Sequence, residues 1–168
     1  MIKKVISGGQ TGADCGGLRA AKLMGIETGG MAPAGYKTLN GSNYELRDEF
    51  GLEEHVSDSY VPRTEYNARR SDGTLRFAAD FRSAGEKCTL KAILRYKKPY
   101  LDIDINHPIE PARVVEWIKR NKIEILNIAG NSEKNAKGIE KFVADYLLQV
   151  FALIRRDKPI GDGTNLES

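Results

Sequence analysis

The chain has 168 residues, a length suited to one domain, and 40% of them are hydrophobic, enough for a sizeable core. No apolar run is long enough to span a bilayer, MIKKVISGG lacks the apolar core of a signal peptide, and a net charge of +3 is too weak to argue for a nucleic-acid partner. Cys15 and Cys88 have no CxxC spacing and read as reduced thiols of a cytoplasmic protein.

The first unit, KKVISGGQTGADCGGLRAAKLM, predicts a strand at Val5 and Ile6, a loop of small residues, and a helix with Leu18, Ala21 and Met24 on one face. Asp14 is placed to cap that helix. Glycines between a strand and a helix suit an anion: they let backbone approach a ligand, and the first helical amides lack partners. The loop carries neither the Walker lysine nor the dinucleotide spacing, so a tight turn explains it nearly as well.

Gly25 to Glu27 reads as a return strand or turn, and Thr28 to Ser42 as a long loop. Tyr44 to Val56 has no clean period. A helix is predicted from Pro62, with Arg63 and Arg69 on a solvated face, and Asp72-Gly73 marks a turn. Thr74 to Ala79 is the second strand, Asp80 to Lys87 a loop, and Cys88 to Lys97 a helix with Leu90, Ile93 and Leu94 inward. Pro99 ends it before a third strand, Tyr100 to Ile105. Pro108 and Pro111 open a helix burying Val114, Val115 and Ile118, with Trp117 read as packing. Glu124 to Ala129 is the fourth strand and Gly130 to Lys137 a polar loop. The last helix is the clearest, with Ile139, Phe142, Val143, Tyr146, Leu147, Val150 and Ile154 in register. One domain over 1–156 is expected, then a loosely ordered tail, 157–168.

Strands alternating with helices predict a three-layer α/β fold, a mostly parallel sheet with helices on both faces. Ligands of such sheets bind outside the carboxyl ends of the strands. That rule gathers Gly8–Thr11, Asp80–Lys87, Asn106–His107 and Gly130–Asn135 on one rim.

Three stretches then carry a resemblance: ISGGQTGADCGGLRAAKLMGI with GGMAPAGY, NARRSDGTLRF, and LNIAGNSEKNAKGIEKFV. Together they resemble the molybdenum cofactor carrier proteins, the circularly permuted YpsA-like branch of the SLOG superfamily, over nearly the whole chain. The resemblance implies a Rossmann-like, cytoplasmic homo-oligomer that carries molybdenum cofactor (molybdopterin) or a related phosphate-bearing pterin, with a nucleotide as the alternative ligand. It implies molybdoenzymes or cofactor-insertion proteins as partners. Gly8, Gly9, Gln10, Thr11 and Gly12 match the family's glycine loop, with Asp14 opening the helix. Pro33 and Gly35 match its second loop. Asn67, Arg70, Ser71, Asp72, Gly73 and Thr74 match the segment before the second strand, where Arg70 and Asp72 are the expected contacts. Gly85 and Thr89 stand where the family has Gly-Gly-Thr, although Glu86 there departs from the pattern.

Related SLOG enzymes that cleave nucleoside monophosphates carry PGGxGTxxE, which is lacking here, and a lone Glu86 reads as a solvated loop charge. No HExxH, GxSxG or Cys/His metal spacing occurs, so binding is expected rather than catalysis, with no protein metal ligands. Asn131 and Ser132 are either ligand donors or loop caps. Tyr36 and Tyr66 are candidate ring contacts, and Arg76, inside a strand, a structural ion pair.

Overall fold

A computed structural model describes residues 1–158. Val5 and Ile6 lie in a short strand, β1 (Lys4–Ile6), whose apolar side chains are buried on both faces. Gly12, at φ 91°, turns the chain into α1 (Ala13–Leu23). The helix leads to β2 (Glu27–Gly29), parallel to β1, so the expected return strand extends into the predicted loop.

The rest of that loop is built of small pieces. β3 (Met31–Ala32) precedes a single 3-10 turn, Ala34–Tyr36, and a hairpin of β4 (Lys37–Thr38) and β5 (Gly41–Ser42). A one-turn helix, α2 (Glu45–Asp48), leads to β6 (Glu53–Glu54), which pairs with β3. Two-residue strands are too short to show a period. What holds them is a small cluster in which Leu46, Phe50 and Leu52 pack on Cys15 and Leu18 of α1.

α3 (Tyr60–Arg70) starts earlier than Pro62, because Ser59 caps it by accepting the Val61 N–H at 3.4 Å. β7 (Gly73–Ala78) follows, buried along its whole length, as a central parallel strand must be. α4 (Ala84–Arg95) also starts early. Ser83 Oγ accepts the Glu86 N–H at 3.4 Å and donates to Glu86 Oε2 at 2.8 Å, a helix cap that the expected loop hid. Its buried face is therefore Glu86, Thr89, Ala92 and Ile93, and Leu94, expected inward, is 58% exposed. β8 (Tyr100–Asp104), α5 (Pro111–Arg120), β9 (Ile125–Gly130) and α6 (Ile139–Arg156) lie where the sequence places them.

The five-stranded sheet runs β2-β1-β9-β7-β8, every pair parallel. Helices α1, α5 and α6 cover one face over the main core, and α3 and α4 cover the other. The fold is Rossmann-like α/β. Counted from β7, the strand order is the doubly wound 2-1-3-4-5 pattern, begun partway round. Consistent with that, Met1 and Lys158 line the same groove. Apart from Asp157 and Lys158, the expected tail lies outside the described residues. No helix among the described residues is long and apolar enough to cross a membrane.

Buried Arg76 of β7 is an ion pair, as expected: it donates to both oxygens of Asp102 on β8 at 2.7 Å and to the Glu86 carbonyl at 2.9 Å. At the amino end of the strands, Asp72 Oδ2 accepts the N–H groups of Glu124 and Ile125 at 3.0 and 2.8 Å. Replacing it leaves two strand-end amides without that acceptor. Asp72→Ala is expected to destabilise the fold by about 1–3 kcal/mol, measured by urea denaturation.

Candidate functional site

Connections leaving β7 pass to the α4 face, and those leaving β9 and β1 pass to the α6 and α1 face. The strand order therefore switches direction between β7 and β9, which opens a crevice at their carboxyl ends. A cleft of about 250 Å³ lies there. Gln10 and Asp14 enter it from the glycine loop and α1, and Leu39 from the hairpin. Tyr60, Arg63 and Thr64 come from α3; Ser83, Gly85, Glu86, Cys88 and Thr89 from α4 and its cap. Ala129, Gly130, Ser132 and Asn135 close the β9 side. Past Ser83 and Asn135 the cleft continues into a shallower trough bordered by Asp80, Arg82 and Asn131.

Close backbone approach makes the crevice. A Cβ on Gly130, at φ 150°, would stand 1.9 Å from the Phe77 carbonyl oxygen, and one on Gly12 would stand 2.4 Å from that of Asn131. Asn131 fastens the three walls: its Oδ1 accepts the Ala79 N–H at 2.9 Å, and its Nδ2 donates to Glu86 Oε2 at 3.0 Å. Both ends of that amide are engaged, so Asn131 is a latch rather than a free ligand donor.

The glycine loop is not an open nest of amides. Gly9 N–H goes to Ser7 Oγ at 3.2 Å, Gln10 N–H to Asp14 Oδ2 at 3.1 Å, and Thr11 N–H to Gln10 Oε1 at 2.9 Å. Gln10 Oε1 also accepts the Leu39 N–H at 3.0 Å, tying the hairpin over the loop. Of the phosphate cradle expected at Gly9 to Gly12, the Gly9, Gln10 and Thr11 amides are therefore taken by the chain's own side chains.

Charge concentrates beside it. Asp14 and Glu86 are 4% and 3% exposed. Arg63 Nη1 lies 3.6 Å from Asp14 Oδ2. Burial pushes Asp14 up to about 6 from its usual 3.8, against the opposing pull of Arg63 and the Gln10 N–H, with Glu86 adding to the rise. Glu86 accepts from Ser83 and Asn131 on Oε2, and Oε1 accepts from no described residue. It is thus a buried cleft carboxylate, not the solvated loop charge expected. Cys88 is half-buried, and burial raises its thiol; Cys15 is pushed up to about 12. Neither is a poised nucleophile. Among the described residues, no three of His, Cys, Asp and Glu converge to hold a metal ion.

A family model described as the circularly permutated YpsA SLOG family matches residues 5–151. The chain belongs to this family. The crystal structure of a "Putative molybdenum carrier protein" from Syntrophus aciditrophicus SB is similar to it at 34% identity and a TM-score of 0.80, covering 89% of this chain and 94% of that chain. No curated protein matches.

The SLOG-type residues divide into groups. Gln10, Asp14, Gly85 and Thr89 line the cleft. Gly8 abuts it: a Cβ there would stand 1.9 Å from Arg63 Nη1. Gly9, Thr11 and Gly12 shape the loop. Pro33 and Gly35 stand apart, in the 3-10 turn, where Gly35 N–H donates to Glu54 at 2.7 Å. Asn67 is spent on the backbone of Met31, bonding its N–H and C=O at 2.9 and 3.0 Å. Ser71, Asp72, Gly73 and Thr74 lie at the opposite, amino end of β7. There Ser71 bonds Ala68, Thr74 accepts from Asn127, and a Cβ on Gly73 would strike Ile123. Arg70 stacks over Tyr66 in a separate surface groove with Lys4 and Glu53. These are corrections: parallel strands put the segment before β7 one strand length from the loop after β1. Tyr36 is buried with its hydroxyl on the Leu52 carbonyl, so it is no ring platform.

Tyr60 and Thr64 carried no expectation, and Arg63 and Glu86, read as solvated charges, line the cleft instead. Tyr60, Arg63, Thr64 and Asn67 recur at helical spacing on one face of α3. Starting that helix at Pro62 obscured the stripe.

Two tests follow from this geometry. Gly8→Ala puts a Cβ 2.8 Å from Arg63 Cδ and 1.9 Å from its Nη1, which pushes the guanidinium off buried Asp14, so it is expected to cost about 1–3 kcal/mol; Gly12→Val collides with backbone and is expected to cost more than about 4 kcal/mol, both read by urea denaturation. A raised Asp14 gives stability that is present below its unfolded value and lost as pH rises through about 6. Between about pH 4 and pH 7 the wild type should therefore lose up to about 3 kcal/mol relative to Asp14→Asn, and equal pH slopes would show that the Asp14 carboxyl is not raised.

Proposed function

We propose that this protein is a carrier that binds molybdenum cofactor, or a related phosphate-bearing pterin, in the cleft at the carboxyl ends of β1, β9 and β7. Family membership and the likeness to a protein named for molybdenum carriage support that reading. The observation that carries it is Glu86. It lines the cleft with its Oε1 unpartnered among the described residues, and a pterin presents two adjacent N–H donors on its pyrimidine edge. Tyr60 and Leu39 offer apolar walls to the ring, while Gln10, Asp14, Gly85 and Thr89 supply the polar boundary. The trough past Ser83 and Asn135 gives the longer part of such a ligand a path toward solvent. Binding excludes water from an oxygen-sensitive cargo, and the protein's task is to hold and release it.

A second reading, a nucleotide sensor or nucleoside-monophosphate hydrolase, is favoured by one observation. Asp14 lies near 6 in a cleft with a second carboxylate and an arginine, the setting of a general acid. Guanine shares the pterin's donor edge, so the two readings differ in the rest of the ligand.

Native mass spectrometry of the protein as purified, followed by oxidation and fluorescence of the heat-released ligand, tests both. The carrier reading expects a pterin phosphate, with Glu86→Gln weakening its rebinding by about 10- to 100-fold. A nucleotide mass overturns the carrier reading and directs attention to hydrolysis.

A further inference from the structure

Arg63 is the least satisfied charge in the cleft. Its side chain is 13% exposed, yet it donates no hydrogen bond to any described residue. Nε is sealed from solvent with no partner, and at 3.6 Å the contact to Asp14 is electrostatic only. The guanidinium lies against Gly8 and over the Tyr60 ring, 5.4 Å from its centroid. A planar group with five donors and no hydrogen-bond partner among the described residues suits a planar or tetrahedral oxyanion.

Resting on the reading of this cleft as the ligand site, we infer that Arg63, not the glycine loop, seats an oxyanion of the ligand, and that this oxyanion replaces the Asp14 carboxylate as its counter-charge while Asp14 takes up a proton from solvent. The charge balance requires it. The ionisable groups sharing the cleft with Asp14 are Arg63 and Tyr60 from α3, Glu86 and Cys88 from α4, and its own neighbour Cys15 on α1, of which only Arg63 is a cation, while Glu133, in the loop beside it, is turned to the Gly138 and Glu140 amides. The strands and the β9–α6 loop bring only Ala129, Gly130, Ser132 and Asn135. Two buried carboxylates thus already outnumber one cation, and a third anion enters only if one is neutralised. Glu86 is held by Ser83 and Asn131, whereas Asp14 accepts only backbone N–H groups and stands directly against Arg63. Its burial already favours the neutral form. The one bond that changes is O–H, formed on Asp14 with a solvent proton.

Linkage sets the size of the effect. Above the Asp14 titration, one proton taken up per oxyanion weakens binding about tenfold per pH unit. The test is isothermal titration calorimetry of the whole chain with sodium sulfate and sodium molybdate, both dianions throughout, at about pH 6, 7 and 8, in buffers of different ionisation heat that count protons. The wild type should bind each anion about tenfold more weakly at the highest pH than at the middle one, with nearly one proton taken up. Asp14→Asn should bind equally at all three and take up none. Arg63→Gln, checked for folding by circular dichroism, should bind neither anion at any pH. A flat pH profile in the wild type, the same slope in Asp14→Asn, or no anion binding by either overturns the inference. If pterin phosphate still releases from the purified protein in those cases, the carrier reading stands and only the seat is wrong; if Arg63→Gln abolishes anion binding but no pterin is ever held, the seat stands and the carrier reading falls.

Discussion

Asp14 is 4% exposed and faces a single guanidinium across 3.6 Å. Burying a carboxylate is costly unless charge and donors answer it, and much of the surrounding structure supplies that answer. The Gln10 amide turns inward to it, which is why the glycine loop closes on the protein's own side chain. Gly8 has no side chain, which leaves room for the Arg63 guanidinium. Ser59 starts α3 early enough to carry Arg63 over the strand ends. These features lie on different elements, yet each loses its purpose without the charge pair.

The second carboxylate is fixed from the sheet. Arg76, in the buried strand β7, holds the Glu86 carbonyl while it pairs with Asp102 on the edge strand. Ser83 and Asn131 then hold the Glu86 side chain from the helix cap and from the end of β9. A line of hydrogen bonds therefore runs from the sheet edge to the cleft floor. Because Glu86 is held from its own backbone and from two other segments, its free oxygen is directed without help from a ligand, the preorganisation that a binding site requires.

The permuted order has a functional consequence. β7 and β9 form the switch point, but the loop after β1 supplies Gln10 and Asp14 from the first residues of the chain. Gly12 lies under the Asn131 carbonyl, so the start of the first helix packs directly on the β9 loop. Ala13 N–H bonds that same carbonyl at 3.0 Å. The site is therefore shared between the loop after the first strand and the loop after the last.

Much of this was legible in the sequence. Apolar periodicity over Ile139 to Ile154, the β-branched runs at Val5-Ile6 and Glu124 to Ala129, and the glycines of GGQTG are local signals, and they determined the α/β class, the parallel sheet and the rim on which a ligand would sit. The motif likeness of GGQTGAD determined the family. Other signals were present but weak: Ser83-Ala84-Gly85-Glu86 is a helix cap in a stretch that reads as loop. Only the tertiary structure decided which polar residues face the cleft. SDGT and GGQTG look equally functional in one dimension, but parallel strands send the residues before a strand and those after it to opposite ends of the sheet, so Asp72 became a strand-end cap and Asp14 a cleft acid. Burial made the same choice for the arginines, turning Arg63 inward and leaving Arg70 on the surface, because desolvation depends on what packs from distant segments and leaves no local mark on the chain.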